Sequence, residues 1–445
     1  MKELKLPDEV KYILNKLNSN GYEAFVVGGC VRDSLLGSKP KDWDITTNAL
    51  PLETKALFKK TIDTGLKHGT VTVVMNNENF EITTYRIDGE YTDNRRPDKV
   101  EFTSSIKEDL GRRDFTVNAL AYHPTEGLID FWGGKEDLEG KIIRAVRNPD
   151  ERFKEDALRM LRAIRFCAQL NFHIEPCTFK AIINNCKLIK NISLERIRDE
   201  ITKTLISPNP SKLMLLNDSK LIGIILPEFY NCIGVEQNNP YHVFNVAEHI
   251  ISSVKHIESD KILRWTMLLH DIGKPESKTT DSAGVDHFYG HPKISVELSS
   301  EILKRLKFDN KSIDTILTLI EYHDILLVPN NKSVKKALNK MSDEVFLMLL
   351  KVKEADAKAQ NKVFLEERLN IIEKIRETFF IIHQTHQCAR LKDLAINGND
   401  IINLGIKQGK AVGLILNNLL ERVIENPDIN TTKALTEIVK SEFLD

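Results

Sequence analysis

The stretch AFVVGGCVRDSLLGSKPKDWDITTNA, residues 24–49, decides the fold of the first part of the chain. Its first four residues are apolar or β-prone, and a double glycine separates them from a helical pattern. The stretch therefore predicts a strand, a tight turn and a helix. Gly28 and Gly29 let backbone N–H groups approach a ligand, and the helix that follows favours an anion at its N-terminus. A tight turn without a ligand gives the same pattern.

Two aspartates follow this turn at a spacing that indicates metal chemistry. Asp42 and Asp44 are two residues apart, so on a strand both side chains leave one face while Trp43 leaves the other. Adjacent carboxylates repel unless a cation lies between them, and hard divalent cations prefer oxygen ligands. A pair of Mg²⁺ ions held there can activate a hydroxyl and stabilise a leaving pyrophosphate. Two solvated aspartates at the end of a strand are the alternative.

Composition limits the class of protein. The chain has 445 residues, of which 29% are charged and 41% hydrophobic, which predicts a globular protein of three or four domains. The six cysteines are scattered without a CxxC pair, as in reduced cytoplasmic thiols. The first 17 residues predict a charged amphipathic helix instead of a signal peptide. We therefore expect a cytoplasmic protein without a membrane partner; the sequence leaves the oligomeric state open.

Charge is distributed unevenly along a nearly neutral chain. The formal net charge is −1, yet the segment from Lys141 to Lys203 carries 14 lysines and arginines against 8 aspartates and glutamates. A basic segment of this kind predicts a face for a polyanion. A solvated helical surface is an equally good interpretation of the charge alone.

Within this basic segment, RFKEDALRMLRAIRF, residues 152–166, has apolar residues at helical spacing and predicts one amphipathic helix. Its polar face carries Asp156, Arg159, Arg162 and Arg165, each three residues after the last, so that neighbours are in contact on the helix surface. An Asp156–Arg159 surface salt bridge is the simplest interpretation. Arg162 and Arg165 turn progressively around the helix and suit phosphates or a sugar edge.

Hydrogen-bond direction gives this Asp–Arg pair a second interpretation. Asp156 only accepts hydrogen bonds and Arg159 only donates them. Cytosine and adenine each present an amino donor beside a ring-nitrogen acceptor, so one acceptor–donor pair on the protein fits either base. Guanine and uracil present the reverse order. A mismatched buried polar group costs about 1–3 kcal/mol, so the pair predicts selection of C and A.

Several motifs occur in the order found in one family. GGCVRDSLLG, DWD and RRDFTVNALAY, then DFWGGKEDLEGKIIR (130–144), EDALRMLRAIRF (155–166) and ISLERIRDEI (192–201), resemble the tRNA nucleotidyltransferases and poly(A) polymerases of bacteria. The resemblance implies attack of an RNA 3′-hydroxyl on the α-phosphate of a nucleoside triphosphate. It implies that two aspartates hold the catalytic metals and that a glycine and three arginines hold the nucleotide: Asp42 and Asp44; Gly29, Arg32, Arg112 and Arg113. Asp114 is a candidate third carboxylate.

A polar, arginine-rich stretch, TTYRIDGEYTDNRRPDKVEF at 83–102, resembles the flexible loop of the family members that add a complete CCA sequence. Relatives that add only CC tend to lack this loop, so its presence argues against a CC-only enzyme. A relative that adds only the terminal A would carry it as well, and the sequence leaves that alternative open.

The second half of the chain carries a scattered set of histidines and aspartates that can converge on a metal. With HDIGK at its centre, the set resembles the HD phosphohydrolase domain. The resemblance implies four ligands for a divalent transition metal and two histidines near a second metal or the substrate: His242, His270, Asp271 and Asp356; His291 and His323. Taken singly, each histidine is more often a surface or core residue, and a helical spacer without turnover is the alternative.

Together these motifs predict an α/β nucleotidyltransferase head, a mixed sheet with helices, followed by all-α neck, HD and tail domains. The predicted boundaries are 1–145, 146–235, 236–362 and 363–445, and residues 396–432 resemble the family's C-terminal RNA-binding tail. The predicted function is template-independent addition of CCA to tRNA from CTP and ATP. A-adding enzymes and poly(A) polymerases are close alternatives. An HD phosphohydrolase with a vestigial head and a non-catalytic tRNA-binding protein are alternatives of other classes.

Overall fold

The computed structural model describes residues 4–88 and 100–444. The chain divides into two compact units, Met1–Pro227 and Glu228–Asp445. The predicted boundaries at residues 145 and 362 lie inside these units, so the division into four domains stays a prediction. Residues 89–99 of the predicted flexible loop lie outside the described residues.

The first unit is built on a mixed seven-stranded sheet, as the sequence predicts. Its strand order is β3-β4-β5-β2-β1-β8-β9, and β2 runs parallel to β5 while the other neighbours are antiparallel. The strands of this unit are β1 (Ala24–Val27), β2 (Asp44–Thr47), β3 (Thr61–Gly65), β4 (Thr70–Met75), β5 (Glu78–Thr84), β6 (Arg86–Asp88), β7 (Val100–Phe102), β8 (Leu120–His123), β9 (Gly127–Asp130), β10 (Ile142–Ile143) and β11 (His173–Ile174).

Sequence pattern explains which strands lie at the centre of this sheet. All four residues of β1 are buried, as expected for an apolar strand with elements packed on both faces. In β5, Phe80 and Ile82 are buried while Glu81 between them is exposed. This alternation directs every second side chain of β5 away from the core, and Glu81 is one of them.

Helices cover the sheet and continue after it. The helices up to residue 230 are α1 (Asp8–Asn18), α2 (Gly29–Leu35), α3 (Pro51–Leu57), α4 (Ile106–Gly111), α5 (Gly134–Glu139), α6 (Pro149–Glu155), α7 (Leu158–Leu170), α8 (Pro176–Asn185), α9 (Leu194–Leu205), α10 (Leu215–Asp218), α11 (Ile222–Ile225) and α12 (Pro227–Tyr230).

The single helix predicted over residues 152–166 is wrong. Helix α6 ends at Glu155, Asp156 has extended backbone angles of φ −136° and ψ 102°, and α7 begins at Leu158. The Oδ1 atom of Asp156 accepts a hydrogen bond of 3.0 Å from the backbone N–H of Leu158. A short acidic side chain that bonds to nearby backbone competes with helix formation, which explains the break.

The regular secondary structure of residues 228–444 in the second unit is helical, apart from one short hairpin of β12 (Thr279–Thr280) and β13 (Asp286–His287). No helix among the described residues combines the length and the apolar character needed to cross a bilayer. The helices are α13 (Val246–His256), α14 (Lys261–Leu269), α15 (Lys274–Ser277), α16 (His291–Arg305), α17 (Asn310–Tyr322), α18 (Asn331–Leu338), α19 (Asp343–Lys358), α20 (Leu365–Gln384), α21 (Gly398–Asn403), α22 (Lys410–Glu425) and α23 (Thr432–Glu442).

Candidate functional site

Three carboxylates lie together at one end of the sheet in the first unit. Asp44 is the first residue of β2, and Asp42 precedes the strand by two residues. Because β2 pairs in parallel with β5, Glu81 lies directly beside Asp44. Burial raises the pKa of Asp44 to about 6; the Arg113 guanidinium opposes this shift, and the charges of Asp42 and Glu81 add to it. The cluster therefore concentrates negative charge on oxygen atoms.

The double glycine forms the second part of the site. Gly28 precedes α2 with φ at +82°, a conformation that favours glycine. A Cβ atom at Gly28 would lie 2.8 Å from the Nη1 atom of Arg113, so the turn and this guanidinium approach each other closely. The predicted nucleotide-binding residues Gly29 and Arg113 therefore belong to one surface, next to the carboxylates.

Asp109 orients the two predicted phosphate-binding arginines. It is fully buried, and its Oδ1 atom accepts hydrogen bonds of 3.0 and 2.8 Å from Nε and Nη2 of Arg112. Its Oδ2 atom lies 3.7 Å from Nη2 of Arg113. Burial alone would raise the pKa of Asp109, but the two arginines hold it below its ordinary value. The motifs did not indicate Asp109, although it lies in α4 three and four residues before the two arginines, a spacing that was a usable signal.

Three other predicted arginines meet at one aromatic ring. The guanidinium carbons of Arg32, Arg162 and Arg165 lie 5.2, 5.5 and 4.2 Å from the ring centroid of Phe166. Cation–π contacts of this kind help to fix the direction of a guanidinium. The structure thus brings Arg32 of α2 close to Arg162 and Arg165 of α7. The spacing of the sequence motifs does not predict this contact.

The structure gives Asp114 a different role from the predicted third carboxylate. Its Oδ2 atom accepts hydrogen bonds of 2.8 and 2.6 Å from Nε and Nη2 of Arg162, and its Oδ1 atom accepts from Asn118. Burial would raise the pKa of Asp114, but Arg162 and Asn118 lower it to about 2. Asp114 is therefore a fixed counterion for Arg162, and Glu81 is the third carboxylate beside the aspartate pair.

Asp156 and Arg159 lie at the break between α6 and α7. Their side chains pair with other residues and not with each other. The Nη1 atom of Arg159 donates to Glu155 at 2.6 Å, and its Nη2 atom donates to the backbone oxygen of Arg112 at 3.0 Å. The Oδ2 atom of Asp156 accepts from Arg196 at 2.9 Å. The expected Asp156–Arg159 salt bridge is replaced by these contacts, which hold the acceptor and the donor separately.

Helix α9 supplies two of the partners that hold the predicted site residues. Arg196 donates to Asp156, and Glu200, one turn later, forms an ion pair of 2.6 Å with Arg165. Both partners stand in the motif ISLERIRDEI, which the sequence analysis used only for its resemblance. Their spacing of four residues places them on the same helix face and was the signal that could have identified them.

A second cluster lies within the unit Glu228–Asp445. The Nε2 atom of His249 lies 3.2 Å from Asp271 and 3.0 Å from Asp356. The Nε2 atom of His270 lies 3.3 and 3.6 Å from the same two carboxylates. On its other side, the Oδ1 atom of Asp271 lies 3.2 Å from His291 and 3.5 Å from His323. Asp271 is therefore shared by two groups of potential metal ligands.

His249 faces the two carboxylates in the position that the sequence predicted for His242. The two rings are neighbours, with centroids 5.3 Å apart, but His249 faces the carboxylates. The buried positions Val246 and Ile250 on α13 place His249 on the same inward face, so helical periodicity was the available signal. His242 lies beside the cluster, and its Nδ1 atom is buried without a hydrogen-bond partner among the described residues.

The histidines of this cluster share one orientation. The Nδ1 atoms of His270, His291 and His323 lie 2.8, 2.8 and 2.7 Å from backbone oxygens one turn earlier. That of His249 lies 3.3 Å from the backbone oxygen of Ala359. Such contacts occupy Nδ1 with a backbone oxygen and direct Nε2 toward the carboxylates, which is the orientation of histidines that ligate metals.

Models of known protein families match parts of both units. The model described as the poly A polymerase head domain matches residues 24–144. The model described as a probable RNA and SrmB-binding site of polymerase A matches residues 171–232. The model of tRNA nucleotidyltransferase domain 2 matches residues 288–439.

Curated relatives extend this similarity over the full chain. The CCA-adding enzyme of Lactobacillus johnsonii is 35% identical over 96% of this chain and 95% of its own. The chain belongs to the family of bacterial CCA-adding enzymes. The member from Pediococcus pentosaceus is 34% identical over 97% of both chains. Membership confirms the predicted family and the enzyme class, nucleotidyltransferase.

A solved structure of the family supports the predicted fold class. The crystal structure of the Bacillus stearothermophilus CCA-adding enzyme in complex with CTP covers 98% of this chain and 97% of its own, at 29% identity and a TM-score of 0.71. The prediction of a mixed sheet followed by helical regions is confirmed. The HD resemblance of the second half stays a prediction.

Replacement of Arg196 by methionine is expected to loosen nucleotide selection more than it slows the transfer. The change removes the charge-assisted bond to Asp156, and the carboxylate can then rotate away from its present direction. We expect the preference for CTP over UTP to fall about tenfold, measured as the ratio of kcat/KM values. Arg198→Met on the same helix is the matched control and keeps the preference. Unchanged selection in the Arg196 variant would show that this bond does not position Asp156.

Proposed function

We propose that this chain completes or repairs the 3′ end of tRNA by adding C, C and A from CTP and ATP without a nucleic-acid template. The observation that carries the proposal is the placement of Asp42, Asp44 and Glu81 next to the turn at Gly28 and the guanidinium of Arg113. An arrangement of oxygen ligands beside an anion-binding surface suits a metal–triphosphate complex. Family membership supports tRNA as the acceptor.

The carboxylate oxygens of the cluster are the donors that a hard divalent cation prefers, and we propose Mg²⁺ as its ligand. Such ions, when bound, lower the pKa of an attacking hydroxyl and stabilise a leaving pyrophosphate. Arg113 lies closest to the cluster and would bind the phosphate nearest to the reacting atom. Arg112, held by Asp109, and Arg32, held by Asp33 and Asn118, would bind the rest of the triphosphate.

Base selection is proposed to depend on Asp156 and Arg159. The side chain of Asp156 is 16% exposed and that of Arg159 is 10% exposed. A base that bonds to them is therefore largely withdrawn from water, and mismatched groups cannot recover hydrogen bonds from solvent. An acceptor beside a donor accommodates cytosine and adenine.

The basic surface of residues 146–235 and the C-terminal tail are proposed to contact tRNA through phosphates and 2′-hydroxyls.

Stepwise extension of tRNA tests this proposal against its closest alternatives. Transcripts that lack CCA, or that end in C or CC, are incubated with CTP, ATP or both, and products are resolved to one nucleotide. The proposal predicts that CTP alone adds CC, that ATP alone extends only the CC-ending transcript, and that addition stops at CCA. Extension only of the CC-ending transcript would indicate an A-adding enzyme. Long tails from ATP alone would indicate a poly(A) polymerase.

We also propose a second, metal-dependent phosphohydrolase function for the unit Glu228–Asp445. It is favoured by the common orientation of four histidines, whose Nε2 atoms converge on two carboxylates while their Nδ1 atoms face backbone oxygens. Imidazole and carboxylate ligands suit a divalent transition metal. Such a metal, when bound, supplies an activated water for phosphate-ester hydrolysis. Lys274, 2.7 Å from Asp271, would help keep this carboxylate charged.

Replacement of His249 by alanine is expected to reduce the metal content of this unit. The change removes one of the Nε2 atoms that face Asp271 and Asp356, so metal affinity should fall about tenfold or more. The protein is loaded with Mn²⁺ or Zn²⁺, dialysed, and analysed for bound metal by mass spectrometry. His242→Ala is the matched control and should retain the metal. The ligand assignment is wrong if His242→Ala loses the metal and His249→Ala keeps it.

A further inference from the structure

The motif RRDFTVNAL supplies two arginines and Asp114 to the site in the head, but its Asn118 has no part in the reaction proposed above. Asn118 ends a short 3₁₀ turn, Thr116–Asn118, and is only 7% exposed. A buried side-chain amide needs partners for both its oxygen and its N–H groups, because unpaired polar groups are costly away from water. The partners of Asn118 therefore indicate its role.

Both ends of the Asn118 amide bond to residues of the site. The Oδ1 atom accepts a hydrogen bond of 2.6 Å from Nη1 of Arg32, and the Nδ2 atom donates one of 3.0 Å to Oδ1 of Asp114. A guanidinium only donates hydrogen bonds, and the ionised carboxylate of Asp114 only accepts them. The two partners thus fix the orientation of the amide.

These two bonds close a ring of contacts between α2 and α7. Asp114 accepts two hydrogen bonds from Arg162, and the guanidinium carbons of Arg32 and Arg162 lie 5.2 and 5.5 Å from the centroid of one aromatic ring, Phe166. Arg32 belongs to the proposed triphosphate site. Arg162 follows Arg159 of the proposed base-reading pair by three residues on α7. The amide therefore links the phosphate-binding and base-reading parts of the site.

An amide suits this position better than a carboxylate would. The Nε atom of Arg32 already donates to Asp33 at 2.8 Å. A second carboxylate, in place of Asn118, would oppose the attraction of Arg32 for a triphosphate. It would also set a like charge within hydrogen-bond distance of Asp114. The neutral oxygen of the amide orients the guanidinium without adding negative charge to a site for phosphates.

We propose that Asn118 is a positioning residue that holds Arg32 and Arg162 in the directions in which they bind the incoming nucleoside triphosphate. It acts on Arg32 directly and on Arg162 through Asp114. This role rests on the proposed function for the meaning of the two arginines. Neither arginine belongs to the pair that reads the base, so Asn118 affects the affinity for CTP and for ATP and not the choice between bases.

Isothermal titration calorimetry of CTP and ATP into the full chain, with Mg²⁺ and without tRNA, tests this role. Asn118→Ala should weaken binding of each nucleotide about tenfold, since each arginine loses one support. Asn118→Asp should weaken it by about a hundredfold, because it adds a negative charge beside Arg32 and Asp114. Asn18→Asp, which adds the same charge at an exposed position on α1, should bind both nucleotides as the wild type does.

The pH dependence of binding separates positioning from packing. Position 118 faces charged groups on α2, on its own motif and on α7: Arg32 and Asp33; Arg113 and Asp114; Arg162. In Asn118→Asp, two neighbouring carboxylates share a proton as the pH falls, and the new carboxyl group can then donate as the amide does. The loss of CTP affinity relative to wild type should therefore shrink about tenfold from about pH 8 to about pH 6.

A packing role predicts the opposite order of the two variants, because aspartate has the shape of asparagine and alanine leaves a cavity. Asn118→Asp that binds CTP more tightly than Asn118→Ala at every pH would overturn the proposal. So would Asn118→Ala with wild-type affinity, which decides the question alone if the aspartate variant does not fold.

The wild-type protein separates this proposal from the proposed function. If it bound CTP and ATP but extended no tRNA, the proposed function would be refuted, and the variants would still decide the role of Asn118. If it bound neither nucleotide, both proposals would be overturned. The ratio of kcat/KM for CTP to that for UTP should stay at the wild-type value in Asn118→Ala, and a fall in this ratio would contradict a role confined to the triphosphate.

Discussion

Replacement of Asp42 by alanine is expected to lower the rate of nucleotide addition by about a thousandfold or more. The change removes a carboxylate from the proposed metal site, and metal ions contribute several kcal/mol to stabilising the transition state of phosphoryl transfer. Asp42 is exposed, so the fold should tolerate the change. The measurement is single-turnover addition of A to a tRNA ending in CC. Glu81→Gln, which keeps the shape of the side chain, should give a smaller loss in the same assay.

Asp63→Ala is the matched control, because this exposed aspartate lies on β3 of the same sheet and forms an ion pair with Lys55. It should keep the wild-type rate. An Asp42 variant that also keeps its rate within tenfold of wild type would contradict the proposed metal site.

An Asp114→Asn variant is expected to lose nucleotide affinity, through release of Arg162, and not the metal requirement.

Asp156→Ala and Arg159→Ala are expected to relax the choice of base far more than they slow the transfer. Each change removes one side of the acceptor–donor pair, so the penalty that excludes U and G should fall by about ten- to a hundredfold. The measurement is the ratio of kcat/KM for CTP to that for UTP on a tRNA lacking CCA. Transfer of the correct nucleotide should decline less, since the carboxylates and the phosphate-binding arginines are unchanged.

Glu155→Gln provides a graded test of the same pair. Glu155 bonds to Nη1 of Arg159, and an amide in its place keeps the geometry but loses the charge, so selectivity should fall by an intermediate amount. If both alanine variants retained full selection of C and A, the pair would have no role in reading the base. The contacts of Asp156 with Arg196 and of Arg159 with Glu155 would then have only a structural role.

Local sequence patterns predict the parts of the head that are local in structure. The strand, glycine turn and helix of residues 24–37 follow from apolar pattern and turn chemistry, and DWD marks the two aspartates that we propose to bind metal. Glu81 escaped prediction because its place beside Asp44 depends on the parallel pairing of β2 and β5, whose partners are 37 residues apart. Nothing in the spacing of the motifs specifies which strands become neighbours.

Two predictions failed at shorter range, the single helix over residues 152–166 and the choice of His242 as a ligand. The apolar spacing over 152–166 is correct on both sides of Asp156, yet the side chain of that residue bonds to the backbone of Leu158 and breaks the helix. In the second unit, the choice between His242 and His249 depends on which one faces inward from α13. A histidine motif read without the positions of its residues around the helix does not decide between the two.

Product sequencing in the presence of all four nucleoside triphosphates tests the central claim most directly. A tRNA transcript lacking CCA is incubated with equimolar ATP, CTP, GTP and UTP, and its 3′ ends are sequenced. The account predicts that wild-type products end in CCA, that Asp42→Ala leaves the transcript unextended, and that Asp156→Ala and Arg159→Ala introduce U and G. Wild-type ends that carry U or G, or that continue as runs of A, would contradict it.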